Sequence, residues 1–300
     1  MSSYTSQNKS FQALIREARS LYEQRAGQPS GRVEYLLTKL KNLERQIYEL
    51  YDFPLKERDV LDIGAGQFLV QMQYFARRNR VVGIDYDVIA QGLNPMSYLR
   101  MLRFNGFRRV IKTIGRKLLG IDRRYAAELA KQLNVVSLPK LRVLHMDACN
   151  MSFHDGSFDF VHCYSVFHHL PNPKAAISGI ARVLRPGGVV FISLHLYTSE
   201  RGCLDPRVFS EQRGDFPLWA HLRPQFANKV KPNAYVNRLR LPDWQALFET
   251  RMPGARLMFN RTDRVGMEKK ARALLDKGEL KGYSLDELLV DEIVVLWQKT

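Results

Sequence analysis

The sequence predicts an α/β protein built on a mostly parallel sheet with helices on both faces, and three observations carry that expectation. Short apolar runs recur along the chain, at 59–63, 81–85, 141–145, 158–164, 189–194, 256–260 and 293–298. Helix-period segments lie between them, at 68–78 and 173–184. The runs are mostly apolar, the pattern of strands buried on both faces. With 300 residues, 45% hydrophobic and 25% charged, the chain has the composition of an ordinary folded, soluble protein.

Before the first strand, Phe11, Leu14, Ile15, Ala18, Leu21 and Tyr22 recur at spacings of about three and four residues. So do Tyr35, Leu36, Leu40, Leu43, Ile47 and Leu50. Two amphipathic helices are expected, separated by a break at Gly27–Gly31, and together they define an N-terminal helical segment, 1–57. Residues 58–300 form the main domain. Its alternation is interrupted twice, by an insertion at 92–138 between the second and third strands and by another at 199–240 after the fifth.

Those insertions hold the charge anomaly. The formal net charge is +16, from 46 Lys and Arg against 30 Asp and Glu. Residues 100–131 contain 10 basic and 2 acidic residues, and 201–240 contain 8 and 3, so the remainder is nearly balanced. Such a distribution points to anionic partners. The three cysteines, Cys149, Cys163 and Cys203, form no CxxC pair, so neither a disulfide framework nor a metal site is expected. The start of the chain is polar and no apolar run approaches the roughly 18 residues of a membrane span, which predicts a cytoplasmic protein.

The first strand runs into Gly64-Ala65-Gly66. Glycines there allow a tight turn and let a ligand approach the backbone, while the following helix N-terminus offers free N–H groups. A nucleotide-like ligand suits such a turn. The dinucleotide fingerprint fails, because Leu69 occupies the position of its third glycine. Asp62 precedes the turn, and Asp85 closes the second strand, where its carboxylate can accept bonds from vicinal ribose hydroxyls.

Val60-Leu-Asp-Ile-Gly-Ala-Gly66, Gly83-Ile-Asp85, Met146-Asp-Ala148 and Phe153-His-Asp-Gly-Ser-Phe-Asp-Phe-Val161 together resemble class I S-adenosylmethionine-dependent methyltransferases. Val166-Phe-His-His-Leu170 and Ala181-Arg-Val-Leu-Arg-Pro-Gly-Gly188 are similar to the quinone-type and small-molecule branch. The resemblance spans 58–195 and implies a Rossmann-like, seven-stranded fold. It also implies that Gly64 and Gly66 bracket the methionine part of S-adenosylmethionine, that Asp62 lies near its amino group, and that Asp85 holds the ribose. Tyr86 would pack on the adenine, Asp147 and Ala148 would contact its edge, and Tyr164 at the fourth strand's end belongs to the same cofactor set. Phe68 departs from the pattern, since many members carry a third glycine there.

Methyl transfer from a sulfonium is an in-line displacement, so the protein must align, desolvate and, for a weakly acidic nucleophile, remove a proton. Ligands of open α/β sheets bind outside the carboxyl ends of the strands. His168, His169 and His195 stand there and are candidate bases. The histidine pair reads equally as loop structure. The fourth strand lacks the Asn/Asp-Pro-Pro-aromatic pattern of methyltransferases acting on base amines, and no Pro-Cys nucleophile motif occurs.

In the first insertion, Leu99, Arg103, Phe107, Ile111, Ile114 and Leu118 line roughly one helical face with one basic interruption, and Arg108, Lys112 and Arg116 stack along another. A basic amphipathic helix over 96–119 is expected. It can lie in a membrane interface, cover an anionic substrate, or pack its apolar face on the domain with its charges outward. Tyr197 after the fifth strand, with Arg223, Asn237 and Arg240 in the second insertion, are candidate substrate contacts, since guanidiniums fork onto carboxylates and phosphates.

Three functions remain open: methylation, at oxygen, of a small or glycan- or lipid-linked acceptor, anionic in character; methylation of nucleic acid, for which no binding module is recognisable; and cofactor binding without catalysis. The first is preferred, with contact at the inner face of a membrane through 96–119 as a further expectation.

Overall fold

The computed structural model describes residues 29–209, 213–232, 234–262 and 264–300, so the expected helix Phe11–Tyr22 lies outside the described residues. In chain order the elements are α1 (Pro29–Tyr51), β1 (Asp59–Ile63), α2 (Val70–Ala76), β2 (Arg80–Asp85), α3 (Pro95–Asn105), α4 (Phe107–Leu118), α5 (Ile121–Leu133), β3 (Arg142–His145), β4 (Phe158–Tyr164), α6 (Pro173–Val183), β5 (Leu184–His195), α7 (Leu241–Arg251), β6 (Arg256–Arg261), α8 (Met267–Asp276), α9 (Leu285–Leu289) and β7 (Val290–Gln298). Seven strands form one sheet in the order β3-β2-β1-β4-β5-β7-β6. β1, β2 and β3 pair in parallel, and β6 pairs antiparallel to β7. The predicted α/β class and the seven mostly parallel strands are therefore observed.

The chain divides into two compact units, the boundary crossing β4, α6 and β5. One unit holds α1, β1–β3, α2–α5 and most of β4. Its first helix buries Val33, Leu37, Leu40, Leu43 and Ile47 on one face, and it begins at Pro29, inside the expected break at Gly27–Gly31. Tyr35, expected on the apolar face, is exposed. The Tyr74 hydroxyl donates to Glu44 at 2.6 Å, and Arg78 also pairs with Glu44, which ties α2 to α1. Phe75 of α2 meets Phe160 and His162 of β4 edge-on. Gly83 permits the close approach of α2 to β2, since a Cβ there would lie 2.5 Å from Met72 Sδ and 3.1 Å from Ala65 Cβ.

The single helix expected over 96–119 is corrected to two, α3 and α4, because Gly106 adopts φ 80° and ends the first. A third helix, α5, begins after Gly120. These three helices fill the first insertion.

The other unit holds the end of β4, most of β5, β6, β7 and helices α6 to α9. Trp219, Leu222, Met267, Ala271, Leu280, Leu288 and Leu289 form one of its cores. The second insertion folds as short 3-10 turns, at Pro206–Phe209, Ala220–Leu222 and Pro224–Lys229. Buried Glu200 holds this region, accepting from both Arg213 and Arg264. Two residues on, Gly202 packs where no side chain fits: a Cβ would stand 2.1 Å from the Tyr197 carbonyl oxygen and 2.4 Å from that of Leu196. Gly202→Ala must therefore move backbone, and we expect a loss of at least about 2 kcal/mol in chemical denaturation. An unchanged midpoint would show that the turn yields freely.

Candidate functional site

The glycine turn follows β1 directly. Gly64 and Gly66 take φ 78° and 67°, the left-handed region open to glycine, and the amides of Gly64 and Ala65 both donate to the Ile84 carbonyl at 2.8 and 3.1 Å. Leu69, at the position where the dinucleotide fingerprint has its third glycine, is itself left-handed at φ 52°. Leu69 is buried with Ala65 and Met72. Phe68 stacks near Tyr125 at 4.3 Å, and the Arg116 guanidinium lies over its ring.

Asp62 sits in β1 opposite Gly83 and is buried. Its Oδ1 meets His162 Nδ1 at 2.6 Å, while its Oδ2 is buried without a protein partner. A buried carboxylate oxygen left open is costly, so the arrangement suits a cationic or N–H donor from a ligand. Asp85 ends β2. Its Oδ2 accepts from Gly66 N–H at 2.9 Å and its Oδ1 from Asp87 N–H at 2.8 Å. Burial pushes its carboxyl up to about 6, against the lowering effect of these two bonds. Since a carboxylate offers about four acceptor positions, two remain for a vicinal diol.

Tyr86 follows with half its surface exposed and its ring edge-on to His145. Met146 N–H donates to the Asp85 carbonyl at 3.0 Å, which brings the segment after β3 to the end of β2. Asp147 Oδ1 accepts from Cys149 N–H at 2.8 Å, and Ala148 is buried beside it. Asp62, Gly64, Gly66, Asp85, Tyr86, Asp147 and Ala148 thus gather at the carboxyl ends of three adjacent parallel strands of one unit. Tyr164 belongs to the other unit, half-buried at the end of β4.

The candidate bases also belong to that second unit. Ser165 turns the chain out of β4 with φ 62°, its N–H donating to the Ser193 carbonyl at 2.8 Å. Phe167–His169 then form a 3-10 turn. The rings of His168 and His169 lie 4.1 Å apart, and those of His168 and His195 5.2 Å apart, so the structure brings all three together. His168 Nδ1 accepts the His195 N–H at 3.2 Å, which places the proton of neutral His168 on Nε2. His169 Nδ1 lies 2.6 Å from the Tyr235 carbonyl and must donate to it, which leaves a lone pair on its Nε2. Burial holds His168 well below 6.5 and His169 below 6.5, so both are neutral near pH 7.

Of the proposed substrate contacts, three are engaged with the protein. Asn237 uses its amide nitrogen on the Phe167 and Leu170 carbonyls, at 2.9 and 3.0 Å, and its backbone N–H on His168; it clamps the histidine turn. The Arg223 guanidinium pairs with Glu279, and that of Arg240 with Glu287. Tyr197 lies edge-on to His221 at 5.0 Å, with Arg238 over its ring. His221 was not among the expected site residues. Its Nε2 donates to the Tyr197 carbonyl at 2.8 Å, its Nδ1 is buried without a partner, and burial lowers it to about 4. Its sequence signal was only a lone histidine in an arginine-rich insertion.

Residues 105–192 match the family model of a methyltransferase domain. The chain is 38% identical over 69 residues to an uncharacterised chloroplastic methyltransferase of Arabidopsis thaliana, covering 23% of this chain and 19% of that protein. It is 27% identical over 139 residues to the ubiquinone biosynthesis O-methyltransferase of Dechloromonas aromatica, covering 46% and 45%. It is also 38% identical over 63 residues to the demethylmenaquinone methyltransferase of Staphylococcus epidermidis, covering 21% and 26%. In each case the chain spans less than half of the relative's length. Over residues 105–192 the chain is therefore similar to a methyltransferase domain, set on a seven-stranded sheet of order β3-β2-β1-β4-β5-β7-β6.

The Arg240 pairing makes a separable expectation. Glu287 is buried and also accepts from Ser284 N–H at 2.8 Å, so Arg240→Ala leaves a buried carboxylate without its cation. We expect about 2–4 kcal/mol of destabilisation in urea denaturation. Full stability in that variant would free Arg240 for a role on a ligand.

Proposed function

We propose that this chain is an S-adenosylmethionine-dependent methyltransferase that methylates a hydroxyl of a small, hydrophobic or lipid-linked acceptor. The observation that carries the reading is the open, buried Oδ2 of Asp62 beside a left-handed glycine turn and the Asp85 carboxylate. These groups fit the cofactor's chemistry. Asp62 would accept from its ammonium group, Asp85 would take the ribose diol with its two remaining acceptor positions, and Tyr86 would present its exposed ring to the adenine. The acceptor class is supported by the relatives named for ubiquinone and menaquinone methylation.

When bound, the cofactor supplies an electrophilic methyl group. The chain's own residues then align the acceptor, exclude water and remove a proton. His169 Nε2, the lone pair left by the bond to Tyr235, is the group assigned to take the hydroxyl proton as the carbon–oxygen bond forms. His168, held as the opposite tautomer, can donate, and Asn237 positions both. His169→Gln should lower kcat about 100-fold or more with little change in cofactor affinity, as general bases contribute roughly 10²–10⁴. An unchanged kcat would remove the base from this mechanism.

Methyl transfer from labelled S-adenosylmethionine into fractionated cell extract tests the acceptor. Label in the lipid or small-molecule fraction supports the reading, and label in nucleic acid overturns it.

Ribose binding by Asp85 requires its ionised form, so affinity falls as pH drops through about 6. Between pH 7 and pH 5 the dissociation constant of S-adenosylhomocysteine, measured by calorimetry, should rise about tenfold in the wild type. Asp85→Asn should bind weakly at both pH values. A flat wild-type profile would separate Asp85 from the ribose.

A further inference from the structure

The first insertion holds its strongest amphipathic helix the reverse of the ordinary way round. On α4, Phe107, Ile111, Ile114 and Leu118 fall within about 60° on a helical wheel. They are 66%, 53%, 40% and 82% exposed. The apolar face thus points to solvent, against one of the arrangements open from the sequence, in which it packed on the domain.

The inward side is charged and satisfied. Arg109 pairs with Asp87 at 2.6 Å, Arg116 with Asp122, and Lys117 Nζ donates to the Ala90 and Gly92 carbonyls at 2.8 and 2.6 Å. Those ion pairs and hydrogen bonds fix the rotation of α4, so the outward stripe is a consequence of specific contacts. Beside the stripe stand exposed Arg108 and Lys112, one turn apart. Across residues 88–121 there are seven Lys or Arg and no Asp or Glu.

We propose that this face of α4 docks on an anionic lipid bilayer, with Phe107, Ile111, Ile114 and Leu118 entering the headgroup boundary and Arg108 and Lys112 on the lipid phosphates. An apolar stripe with a cationic border is the signature of a helix lying in a membrane interface. Among the described residues no helix is long and apolar enough to cross a membrane, so the contact is peripheral. Charge argues against a second copy of this chain as the occupant, because pairing the same face would bring two cationic borders together. Nucleic acid would answer the cations and leave the aliphatic stripe uncovered.

The test uses the full chain and needs no turnover, so its outcome is independent of the proposed activity. Co-sedimentation is measured with phosphatidylcholine vesicles, with and without phosphatidylglycerol. Binding should require phosphatidylglycerol and weaken as salt rises. Ile111→Ser/Leu118→Ser should weaken it at least tenfold. Arg108→Gln/Lys112→Gln should weaken it about 25-fold at low salt, roughly fivefold for each cation removed. All four side chains are outside the core, and an unchanged thermal midpoint in each variant would exclude misfolding.

Three results would overturn the proposal. One is wild-type binding no stronger with phosphatidylglycerol than without it. Another is binding that survives both double variants. The last is a lipid-free dimer, seen by analytical ultracentrifugation, that Ile111→Ser/Leu118→Ser converts to monomer, which would give the stripe to a second copy.

Discussion

Asp85 is the junction on which the cofactor end of this fold depends. Three hydrogen bonds meet there: its carboxylate accepts from Gly66 N–H and from Asp87 N–H, and its carbonyl accepts from Met146 N–H. They tie the turn after β1, the exit of β2 and the exit of β3 to one residue. Parallel strands end with backbone groups that need partners, and here a single side chain satisfies two of the amides. The same enclosure raises the carboxyl to about 6, so the group that organises the turn is also easily protonated. A ligand bringing two hydroxyl donors would favour its ionised form.

The net charge of +16 divides into two populations with different roles. In the second insertion the arginines are mostly internal fasteners. Arg207 pairs with Asp205, Arg213 with Glu200, Arg223 with Glu279 and Arg240 with Glu287. Glu200, Asp205 and Glu287 are buried, so these pairs hold irregular chain in place where no sheet or long helix does. In the first insertion, by contrast, some cations turn inward to fix α4 while Arg108 and Lys112 remain outside. An excess of basic residues does not by itself distinguish a fastener from a contact surface.

The sheet and the cofactor turn were legible because their determinants are local. Phe158–Tyr164 was expected as a strand from its apolar run and is β4. Asp62, Gly64, Gly66 and Asp85 lie at strand ends because glycine and aspartate mark those ends by their backbone and capping chemistry. β5 begins at Leu184, earlier than its apolar run suggests, since Pro186, Gly187 and Gly188 read as a turn. Gly188 is required there, as a Cβ would stand 2.9 Å from the Arg185 carbonyl oxygen and 3.0 Å from that of Asp159. What escaped the sequence were relations between distant residues. Periodicity showed that 107–118 is amphipathic but not which side faces the protein, a choice set by Asp87 and Asp122. Charge counting could not reveal that Arg223 and Arg240 are answered by acids some fifty positions away.

The histidine turn bears on the chemistry of the acceptor. Burial lowers His169 below 6.5 and keeps its Nε2 unprotonated near neutral pH, which readies it to accept a proton while making it a weak base. A phenolic hydroxyl, with a pKa of about 10, gives up its proton more readily than an aliphatic one. A hydroxyl as weakly acidic as water, about 15.7, depends more heavily on proton removal being concerted with bond formation. In the proposed reaction a hydroxyl on an aromatic ring would ask less of such a base than the hydroxyl of a sugar. The Arg223 and Arg240 pairings point the same way, since the arginines most suited to a polyanionic or glycan acceptor are committed to Glu279 and Glu287. A ring-bearing, hydrophobic acceptor would concentrate in a bilayer, and the outward apolar stripe of α4 would bring the chain to that same surface.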